Sequence, residues 1–294
     1  MDFSKLNGKI YFQNKFISSK KAKVHVLNHS LHFATAIFEG IGVYNGNPLF
    51  LKEHLKRLIY SAKLMSLEIN KSIDQLEKIS LKLLKYNKIN NGYIRPLVFR
   101  SSHSMTPDTQ NCKSIIAFAS WEWSKLFKKK NGISLILSKY PRFNNSIYPI
   151  GAKSSGSYQT SVISKIEADK KNFDDCLMLD LKKNIAESSA SNIFWIKNNI
   201  VYTPKEHSIL NGITRRAIIE ICKKNGIKLN INDFKIDHLL SAKNIFLTGT
   251  AAEIQPVRKI NKKNFETNSK LIEFFQEKYE LIKSVCPNEI KDIS

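Results

Sequence analysis

Short apolar runs with strand periodicity alternate with amphipathic helical stretches along almost the whole chain, which restricts the fold to a mixed α/β class. Apolar residues from Leu51 to Met65 form one stripe at helical spacing and predict a helix. A second helix is expected from Ser72, because Gln75 three residues later is typical of a capping box. Two further helices are expected at 214–225 and 271–282, and strands at 9–12, 24–27, 41–44, 93–99, 114–121, 133–137, 176–179, 193–196, 200–202 and 244–247.

A polar and basic segment separates these elements into two groups. Residues 124–132 read Ser-Lys-Leu-Phe-Lys-Lys-Lys-Asn-Gly and are the best linker candidate in the chain. We therefore expect a smaller N-terminal α/β domain over residues 1–123 and a larger domain over residues 133–294. The length of 294 residues suits two domains or one large domain with an ample core.

Composition favours a cytoplasmic protein without a membrane segment. No stretch approaches the roughly 18 apolar residues that span a bilayer, and the first residues lack the apolar core of a signal peptide. The four cysteines are far apart and form no Cys-x-x-Cys pair. They fit reduced thiols rather than a disulfide framework or a zinc site, so we expect no metal.

The net charge of +22 raises the alternative of a nucleic-acid-binding protein. Only seven of the 47 basic residues are arginine, the preferred residue for bidentate phosphate and base contacts. The lysines are also scattered along the whole chain rather than gathered in one arm. We therefore keep a basic nucleic-acid-binding protein only as a distant alternative and expect no specific nucleic-acid partner.

Lys153 stands out among the lysines because of its small and hydroxylated neighbours, Gly151-Ala152-Lys153-Ser154-Ser155-Gly156-Ser157-Tyr158. Such neighbours allow another backbone or a bulky ligand to come close. A lysine amine in a crowded, partly dry place loses its charge readily and can condense with a carbonyl group. The alternative is a flexible Gly/Ser loop that contains a lysine by chance.

Two other segments and one arginine could bind charged groups. Glu187 lies among small hydroxyl residues before an apolar strand, although the segment also fits an ordinary loop with a surface carboxylate. The amides of Ile213 and Thr214 open a helix and would suit an anion. Arg57 lies about 200° around its helix from Leu55, so we expect it to face away from the apolar stripe and be open to an anion. A solvated surface charge is its alternative.

The turn at 248–253, Thr-Gly-Thr-Ala-Ala-Glu, follows a strand and exposes backbone amides. It could bind an anion or simply turn the chain. Together these elements specify a ligand with an aldehyde for the lysine, a phosphate for the amides and arginine, and a basic ring nitrogen for the carboxylate. Pyridoxal 5′-phosphate (PLP) has all three features.

Over nearly its full length the sequence resembles branched-chain amino-acid aminotransferases of PLP fold type IV. Residues 93–96 and 249–253 favour this branch over its relatives. The resemblance rests on 23–26 with 29–32, 38–40, 53–54 with 57–58 and 61–63, 92–96, the Lys153 segment, 186–187 with 192–194, 212–215, and 249–254 with 256–257.

The resemblance implies roles for individual residues at the cofactor. Lys153 would bind the PLP aldehyde and move the proton between the substrate Cα and the cofactor. Glu187 would keep the pyridine nitrogen protonated, and Tyr158 would bond to the phenolic oxygen. The phosphate would be held by Arg57, the amides of Ile213 and Thr214, and the hydroxyls of Thr214 and Thr250.

On the substrate side, the resemblance implies that Tyr93 and the amides of Thr250 and Ala251 take the carboxylate. Phe38 and Trp123 would wall an apolar side-chain pocket, with plain core packing as the alternative. Arg95 would bind the distal carboxylate of glutamate. Three positions depart from the usual family residues, with Phe33 and Leu126 where tyrosines are common and Gly42 where an arginine is common. These departures leave Arg95 less supported and put the usual amino donor in doubt.

The resemblance implies a two-domain fold with a smaller N-terminal α/β domain and a larger C-terminal pseudo-barrel domain. The active site would lie between the domains of a homodimer, or an assembly of dimers, and be completed by the neighbouring subunit. The reaction would be transamination between leucine, isoleucine or valine and 2-oxoglutarate, with amino acids and 2-oxo acids as the only ligands besides PLP. A D-amino-acid aminotransferase or an aminodeoxychorismate-lyase-like enzyme of the same fold is the alternative.

Overall fold

A computed structural model describes residues 2–127, 129 and 131–293 and divides into two compact units. The first unit contains the chain up to Ser124, together with Ala152–Gly156 and Cys286–Glu289. The second unit contains the remaining residues. The linker expected at 124–132 includes Lys128 and Lys130, which lie outside the described residues.

The first unit is built on a seven-stranded sheet with strand order β2-β1-β7-β6-β4-β5, in which β3 also pairs with β6. Its elements are β1 (Lys9–Phe12), β2 (Lys15–Ser18), α1 (His29–Phe33), β3 (Ile37–Phe38), β4 (Ile41–Tyr44), β5 (Asn47–Pro48), α2 (Leu51–Leu64), α3 (Ile73–Asn87), β6 (Gly92–Arg100) and β7 (Ser114–Glu122). Strands β6 and β7 are antiparallel over their full lengths, so their register is fixed from Gly92 opposite Glu122 to Arg100 opposite Ser114.

One face of this sheet carries the core. The apolar stripes of α2 and α3, including Leu55, Leu58 and Leu83, pack with Ile94 and Val98 of β6 in one buried cluster. The cap predicted for α3 is present, since Ser72 accepts from the Gln75 amide and the Gln75 side chain accepts from Ser72. Because strand residues alternate between faces, Tyr93 and Arg95 lie on the face opposite this core.

The second unit is built on a nine-stranded sheet, and helices connect several of its strands. Its elements are β8 (Ile133–Leu137), α4 (Gln159–Lys170), β9 (Asp175–Leu179), β10 (Ile185–Ser188), β11 (Asn192–Lys197), β12 (Ile200–Pro204), α5 (Ile213–Lys224), β13 (Leu229–Asn232), α6 (Ile236–Leu240), β14 (Asn244–Gly249), β15 (Glu253–Ile260), β16 (Lys263–Asn264) and α7 (Lys270–Val285). Its buried core includes Leu135, Leu177, Ile193, Trp195 and Leu247.

Six strands of the second unit form a closed ring. Their order is β10-β9-β8-β15-β14-β11, and β10 pairs with β11 through Glu187 opposite Asn192. This pairing returns the sheet to its first strand and gives it a barrel-like form, with β12 and β13 continuing from β11. The expected α/β fold class with a pseudo-barrel is therefore confirmed.

The secondary structure agrees with most of the sequence predictions, but one predicted strand is wrong. Residues 24–27 form no strand and leave Val24, Val26 and Leu27 exposed, so they lack the buried face that sustains a strand. The predicted end of α5 is correct, since Gly226 follows it with φ +63°. None of the helices in the described ranges combines the length and the apolar character needed to cross a bilayer.

Candidate active site

The Lys153 segment is hydrogen-bonded to β3 through an isolated bridge between Ser154 and Ile37, so it is not a flexible loop. The Phe38 amide donates to the Lys153 carbonyl at 3.0 Å, and the Lys153 amide donates to Ser61 Oγ at 3.0 Å. The neighbouring Ser154 is buried and bridges to Ile37. The Lys153 side chain is half-buried, with Nζ 5.0 Å from the centroid of the Phe38 ring. The backbone of this lysine is thus fixed on both sides.

A buried carboxylate lies beside this segment and pairs with two side chains of α2. Glu39, which follows Phe38, has no exposed surface. Its Oε1 accepts from Arg57 Nε at 2.6 Å, and its Oε2 accepts from Arg57 Nη2 at 2.8 Å. Oε2 also contacts His54 Nδ1 at 2.7 Å. Because an ionised carboxylate only accepts, Nδ1 carries the hydrogen of His54.

The charges in this cluster determine its protonation. Burial alone raises the pKa of the Glu39 carboxyl, but the Arg57 charge and the bonds from Arg57 and His54 outweigh it and hold the pKa below its usual range. Burial lowers the pKa of His54, and the cations of Arg57 and Lys153 lower it further, against the opposing effect of Glu39. Glu39 is therefore ionised and His54 neutral at neutral pH.

Arg57 is predicted to be open to an anion, but the sequence did not predict that two of its guanidinium nitrogens bond to Glu39. Arg57 does lie off the apolar stripe of α2, as predicted. The chain between β3 and β4 supplies Glu39 at this point, so the side chain of Arg57 is only 12% exposed. Arg57 is therefore not a solvated surface charge, and it is already ion-paired before any anion binds.

A cluster of aromatic rings surrounds Arg95 on the face of the first sheet opposite the core. The Arg95 Cζ lies 4.8 Å from the ring centroid of Phe38, 5.6 Å from that of Tyr93 and 5.9 Å from that of Trp121. The strand register explains this arrangement, because Trp121 pairs with Tyr93 and Phe38 pairs with Leu97. Trp123 extends the cluster, with its ring centroid 6.0 Å from that of Tyr93.

Three donors in this aromatic cluster have no acceptor among the described residues. They are Arg95 Nε, Trp121 Nε1 and Trp123 Nε1, all inaccessible to solvent. Buried donors are nearly always paired in proteins, so this group favours a bound ligand with acceptor atoms, such as a carboxylate. Trp121, which is 8% exposed, was not among the predicted site residues. The only signal for it in the sequence was its position two residues before Trp123.

In the second unit, Glu187 occupies the pairing that closes the barrel and is buried. Its Oε1 accepts from Arg142 Nε at 2.8 Å and from the Leu210 amide at 3.3 Å. Its Oε2 accepts from Asn192 Nδ2 at 2.9 Å. The alternative of a surface glutamate in a loop is therefore wrong, because β10 places this side chain in a polar interior.

Arg142 is a site residue that the sequence did not reveal. It is only 3% exposed, and besides Glu187 it donates to the carbonyl of Ser157. Its Cζ lies 5.8 Å from the centroid of the Tyr158 ring. The one feature of the sequence that distinguishes Arg142 is that arginine is scarce in this chain. Arg142 connects the two residues predicted to contact the ring of PLP.

Helix α5 begins with backbone amides that no side chain caps. Gly212 is its N-cap and forms no side-chain cap bond, and Ile213 and Thr214 are buried in its first turn. A Cβ at Gly212 would lie 2.1 Å from Asn192 Oδ1, so the approach of Asn192 requires glycine at this position. The helix start thus retains donors suited to an anion, as predicted.

The turn between β14 and β15 contains Thr250 and Ala251, which are both half-buried. Glu253 ends the turn with a left-handed φ of +55°. Burial raises the pKa of its carboxyl, but bonds from Lys125 and Lys283 outweigh burial and lower it. At the start of the turn, Thr248 Oγ1 is buried without a partner among the described residues.

The three positions that depart from the family pattern differ in their surroundings. Phe33 and Leu126 are 38% and 43% exposed. Gly42 is buried within β4, and a Cβ there would lie 3.0 Å from the Tyr44 ring. Larger polar side chains at the first two positions would therefore leave the core unchanged. A side chain at Gly42 would instead meet the Tyr44 ring.

The predicted site residues fall into two sets, one in each unit. The first unit contains Lys153, Arg57, Phe38, Tyr93, Arg95 and Trp123. The second contains Tyr158, Glu187, Ile213, Thr214, Thr250 and Ala251. Within the described ranges no three histidine, cysteine, aspartate or glutamate side chains form a group that could hold a metal ion.

A sequence model of the family described as amino-transferase class IV matches residues 36–260 of the chain, well over half of its length. A Rickettsia bellii protein named probable branched-chain-amino-acid aminotransferase is 34% identical over 274 residues, which cover 92% of this chain and 94% of that protein. The branched-chain-amino-acid aminotransferase of Pseudomonas aeruginosa is 33% identical over 268 residues, which cover 89% of this chain and 87% of that protein.

A solved structure gives the same result. The branched-chain aminotransferase from the thermophilic archaeon Thermoproteus uzoniensis, crystallised with norvaline, matches this fold with a TM-score of 0.91. The two sequences are 28% identical, and the match covers 95% of this chain and 96% of that chain. Sequence and fold therefore indicate the same family.

Proposed function

The chain belongs to the class IV aminotransferases, and from this premise we propose that it transfers the amino group of leucine, isoleucine or valine to 2-oxoglutarate with PLP as cofactor. The relatives described above are named branched-chain-amino-acid aminotransferases, one of them as probable. The observation that carries the proposal is the fixed position of Lys153, whose backbone is bonded to Phe38 and Ser61. Its half-buried side chain suits a nucleophilic amine.

The residues present fit PLP. Its phosphate needs donors, its ring nitrogen needs a carboxylate and its aldehyde needs an amine, and this chain provides uncapped amides at Ile213 and Thr214, the buried Glu187 and Lys153. When bound, PLP supplies a carbonyl that condenses with amines and a ring that accepts electron density.

Lys153 carries out two tasks in this proposal. Its Nζ would bind the cofactor carbonyl, and it would move the proton between the substrate Cα and the cofactor carbon. Its backbone bonds keep the amine within reach of both atoms, which saves the entropy of positioning it anew for each transfer.

Glu187 holds a proton on the ring nitrogen. The bonds that it accepts from Arg142, Asn192 and Leu210 fix the orientation of the carboxylate, so it is placed to hold a cationic partner. Tyr158, beside Arg142, donates a hydrogen bond to the phenolic oxygen.

The phosphate is held by Arg57, by the amides of Ile213 and Thr214, and by the hydroxyls of Thr214 and Thr250. The amides at the start of α5 bring the positive end of the helix dipole to the anion. Arg57 adds a full charge, oriented by Glu39. Thr214 is only 3% exposed, so its hydroxyl acts in a setting with little competing water.

Tyr93 and the amides of Thr250 and Ala251 take the substrate carboxylate, while Phe38 and Trp123 enclose its apolar side chain. Arg95 takes the distal carboxylate of the amino donor. Its unpartnered Nε supports glutamate in this role, despite the departures at Phe33, Gly42 and Leu126. Tyrosine hydroxyls are absent at Phe33 and Leu126, but the rings of Phe38 and Tyr93 stabilise the positive charge of the Arg95 guanidinium.

We further propose that the enzyme is a cytoplasmic homodimer or an assembly of dimers. Val24, Val26, Leu27, Leu31 and Phe33 expose apolar surface within ten residues of the chain, with Val26 at 69% and Leu31 at 65% exposure. Contiguous exposed apolar surface is typical of a subunit interface. A second copy of the same chain is the occupant that we propose.

The proposed chemistry is tested on the purified full chain. Protein mixed with PLP should show a visible absorbance band that leucine abolishes by converting the cofactor to its pyridoxamine form. Lys153→Ala should lose this band and reduce turnover by at least about 1,000-fold, since a positioned acid-base group and nucleophile are both removed. Lys78→Ala, at an exposed position on α3, is the matched control and should behave as wild type.

Two results would overturn the proposal. One is wild-type protein that stays colourless at saturating PLP, and the other is full turnover by Lys153→Ala. The amino donor is tested by the same half-reaction with glutamate. Conversion by leucine without conversion by glutamate would contradict the role of Arg95 and leave the PLP chemistry standing.

A further inference from the structure

The Glu39 carboxylate bonds to Arg57 and directly follows Phe38, whose amide bonds to the Lys153 carbonyl. We propose that Glu39 and His54 are positioning residues that fix the Arg57 guanidinium for the cofactor phosphate. This inference rests on the proposed function, because it concerns the same cofactor. Neither residue touches the reacting atoms in this proposal, and both act through Arg57.

The contacts with Arg57 restrict its guanidinium to one orientation. Nε and Nη2 each bond to a different oxygen of Glu39, at 2.6 and 2.8 Å. Two parallel bonds between a planar guanidinium and a planar carboxylate fix the plane and the rotation of both groups. A long arginine side chain otherwise loses rotamer entropy when it binds a phosphate, and here that entropy is already lost in the folded protein.

His54 fixes the carboxylate in turn. It lies three residues before Arg57 on α2, so both side chains project from the same face of the helix towards Glu39. The His54 Nδ1–H donates to Oε2 at 2.7 Å, and the Gly40 amide contacts the same oxygen at 3.3 Å. Because His54 is only 2% exposed, solvent does not compete for this bond.

The same carboxylate is joined to the lysine segment through the chain. Glu39 directly follows Phe38, whose amide bonds to the Lys153 carbonyl. Ser61, which receives the Lys153 amide, lies one turn beyond Arg57 on α2. Arg57 and Lys153 therefore share two supports, the chain at Phe38 and Glu39 and the helix α2.

The test compares PLP with pyridoxal, which lacks the phosphate. The full chain, dialysed to remove cofactor, is titrated with each compound, and the dissociation constants are measured by tryptophan fluorescence. Glu39→Gln should weaken PLP binding by about 10- to 100-fold, because charge-assisted bonds that orient Arg57 are lost. Its affinity for pyridoxal should stay within about 2-fold of wild type, because only the phosphate contact depends on Arg57.

Further variants test whether Glu39 acts through Arg57 and whether His54 acts with it. In an Arg57→Gln background, adding Glu39→Gln should weaken PLP binding no further, since the residue through which Glu39 acts is gone. His54→Leu should lower the preference for PLP over pyridoxal, whereas His54→Asn retains a donor and should restore it. Glu68→Gln, an exposed carboxylate in the same unit, is the control and should leave both affinities unchanged.

Equal weakening of PLP and pyridoxal in Glu39→Gln would overturn the inference, since it indicates a general structural role. Unchanged PLP affinity would overturn it as well. If Glu39→Gln does not fold, His54→Leu and His54→Asn decide the question by the same ratio. A wild-type chain that fails to bind PLP contradicts the proposed function itself, and this result is visible before any variant is compared.

Discussion

The hydroxyl of Tyr93 occupies the place where a side chain at Gly40 would begin. A Cβ at Gly40 would lie 1.8 Å from the Tyr93 oxygen and 2.5 Å from the ring carbon that bears it. Only glycine therefore allows this tyrosine to lie across the chain that follows Glu39. The position of Tyr93, which we propose to bind substrate, therefore requires glycine at position 40.

Replacement of Gly40 by alanine should displace the Tyr93 ring and leave the core of the first unit intact, because the obstructed group is the end of a side chain. We expect KM for leucine to rise about 10-fold or more, as is usual when a positioning group shifts by an ångström. Steady-state kinetics of Gly40→Ala and Tyr93→Phe should give similar changes. A Gly40→Ala enzyme with wild-type KM would contradict the assignment of Tyr93.

Loss of Arg142 should destabilise the second unit, because its guanidinium is the charged partner of the buried Glu187. Arg142→Met leaves this carboxylate without its cation and should lower the free energy of unfolding by about 3–5 kcal/mol. Urea denaturation followed by tryptophan fluorescence measures the change. Arg258→Met, at an exposed position on β15, is the matched control and should change stability by less than about 0.5 kcal/mol.

The free energy of unfolding should decrease as the pH falls below 6.5, the ordinary histidine pKa, in part because of His54. Its pKa in the folded protein is lower than the ordinary value of 6.5, first because of burial, so the unfolded chain binds more protons between these two values. The contribution of His54 is therefore complete above pH 6.5 and is lost as the pH falls towards the folded pKa. Glu39 adds a similar loss below its ordinary value of 4.5.

The His54 contribution is measured as the slope of the unfolding free energy against pH between about 5 and 6.5. His54→Asn cannot titrate and should give a shallower slope than wild type in this range. Equal slopes would mean that His54 keeps its ordinary pKa in the folded state. Measurements above pH 7, where neither form titrates at this position, provide the reference.

The cysteines should differ in reactivity towards a thiol reagent. Burial raises the pKa of the Cys222 thiol to about 12, and burial together with Asp175 raises that of Cys176 as well. Cys112 and Cys286 are only half-buried. Mass spectrometry after brief labelling should find modification confined to the latter pair, with all four modified after unfolding. Rapid labelling of Cys176 in the folded protein would contradict the burial described above.

Charge placed on the exposed apolar segment should prevent dimer formation. Val26→Asp and Leu31→Asp each put an unpaired carboxylate where we propose that a second copy packs. Sedimentation should show monomers for both variants and dimers or larger assemblies for wild type. Tyr60→Asp replaces another exposed large side chain, on α2, and should leave assembly unchanged. Monomeric wild-type protein would contradict the proposed interface.

The sequence predicted elements whose apolar periodicity is clear, and it missed those without this signal. Strand β8 was predicted with its observed bounds, because its residues form an uninterrupted buried run. Helix α4 was missed because small polar residues such as Ser161 and Ser164 face the core, while Val162 and Ile166 are exposed. Its apolar residues therefore form no inward stripe.

The candidate site was predictable where a motif carried it and not where the fold assembles it. Lys153, Glu187 and Thr214 could be identified from their neighbours in the chain. The pairing of Arg57 with Glu39 could not, because it depends on a strand and a helix that approach each other in three dimensions. Arg142 lies 45 residues from Glu187, so no local pattern connects them. The roles assigned to these residues remain predictions.

The ring of strands in the second unit has a seam that is a single residue pair wide, and that pair is Glu187 with Asn192. A ligand that binds Glu187 therefore also stabilises the closed barrel, because its binding free energy opposes the separation of β10 from β11. After the cofactor is removed, we expect amide hydrogen exchange to be faster in β10 and β11 than in the other strands of the ring. The residue that we propose to bind the ring nitrogen is thus also one half of the pair that closes the ring of strands.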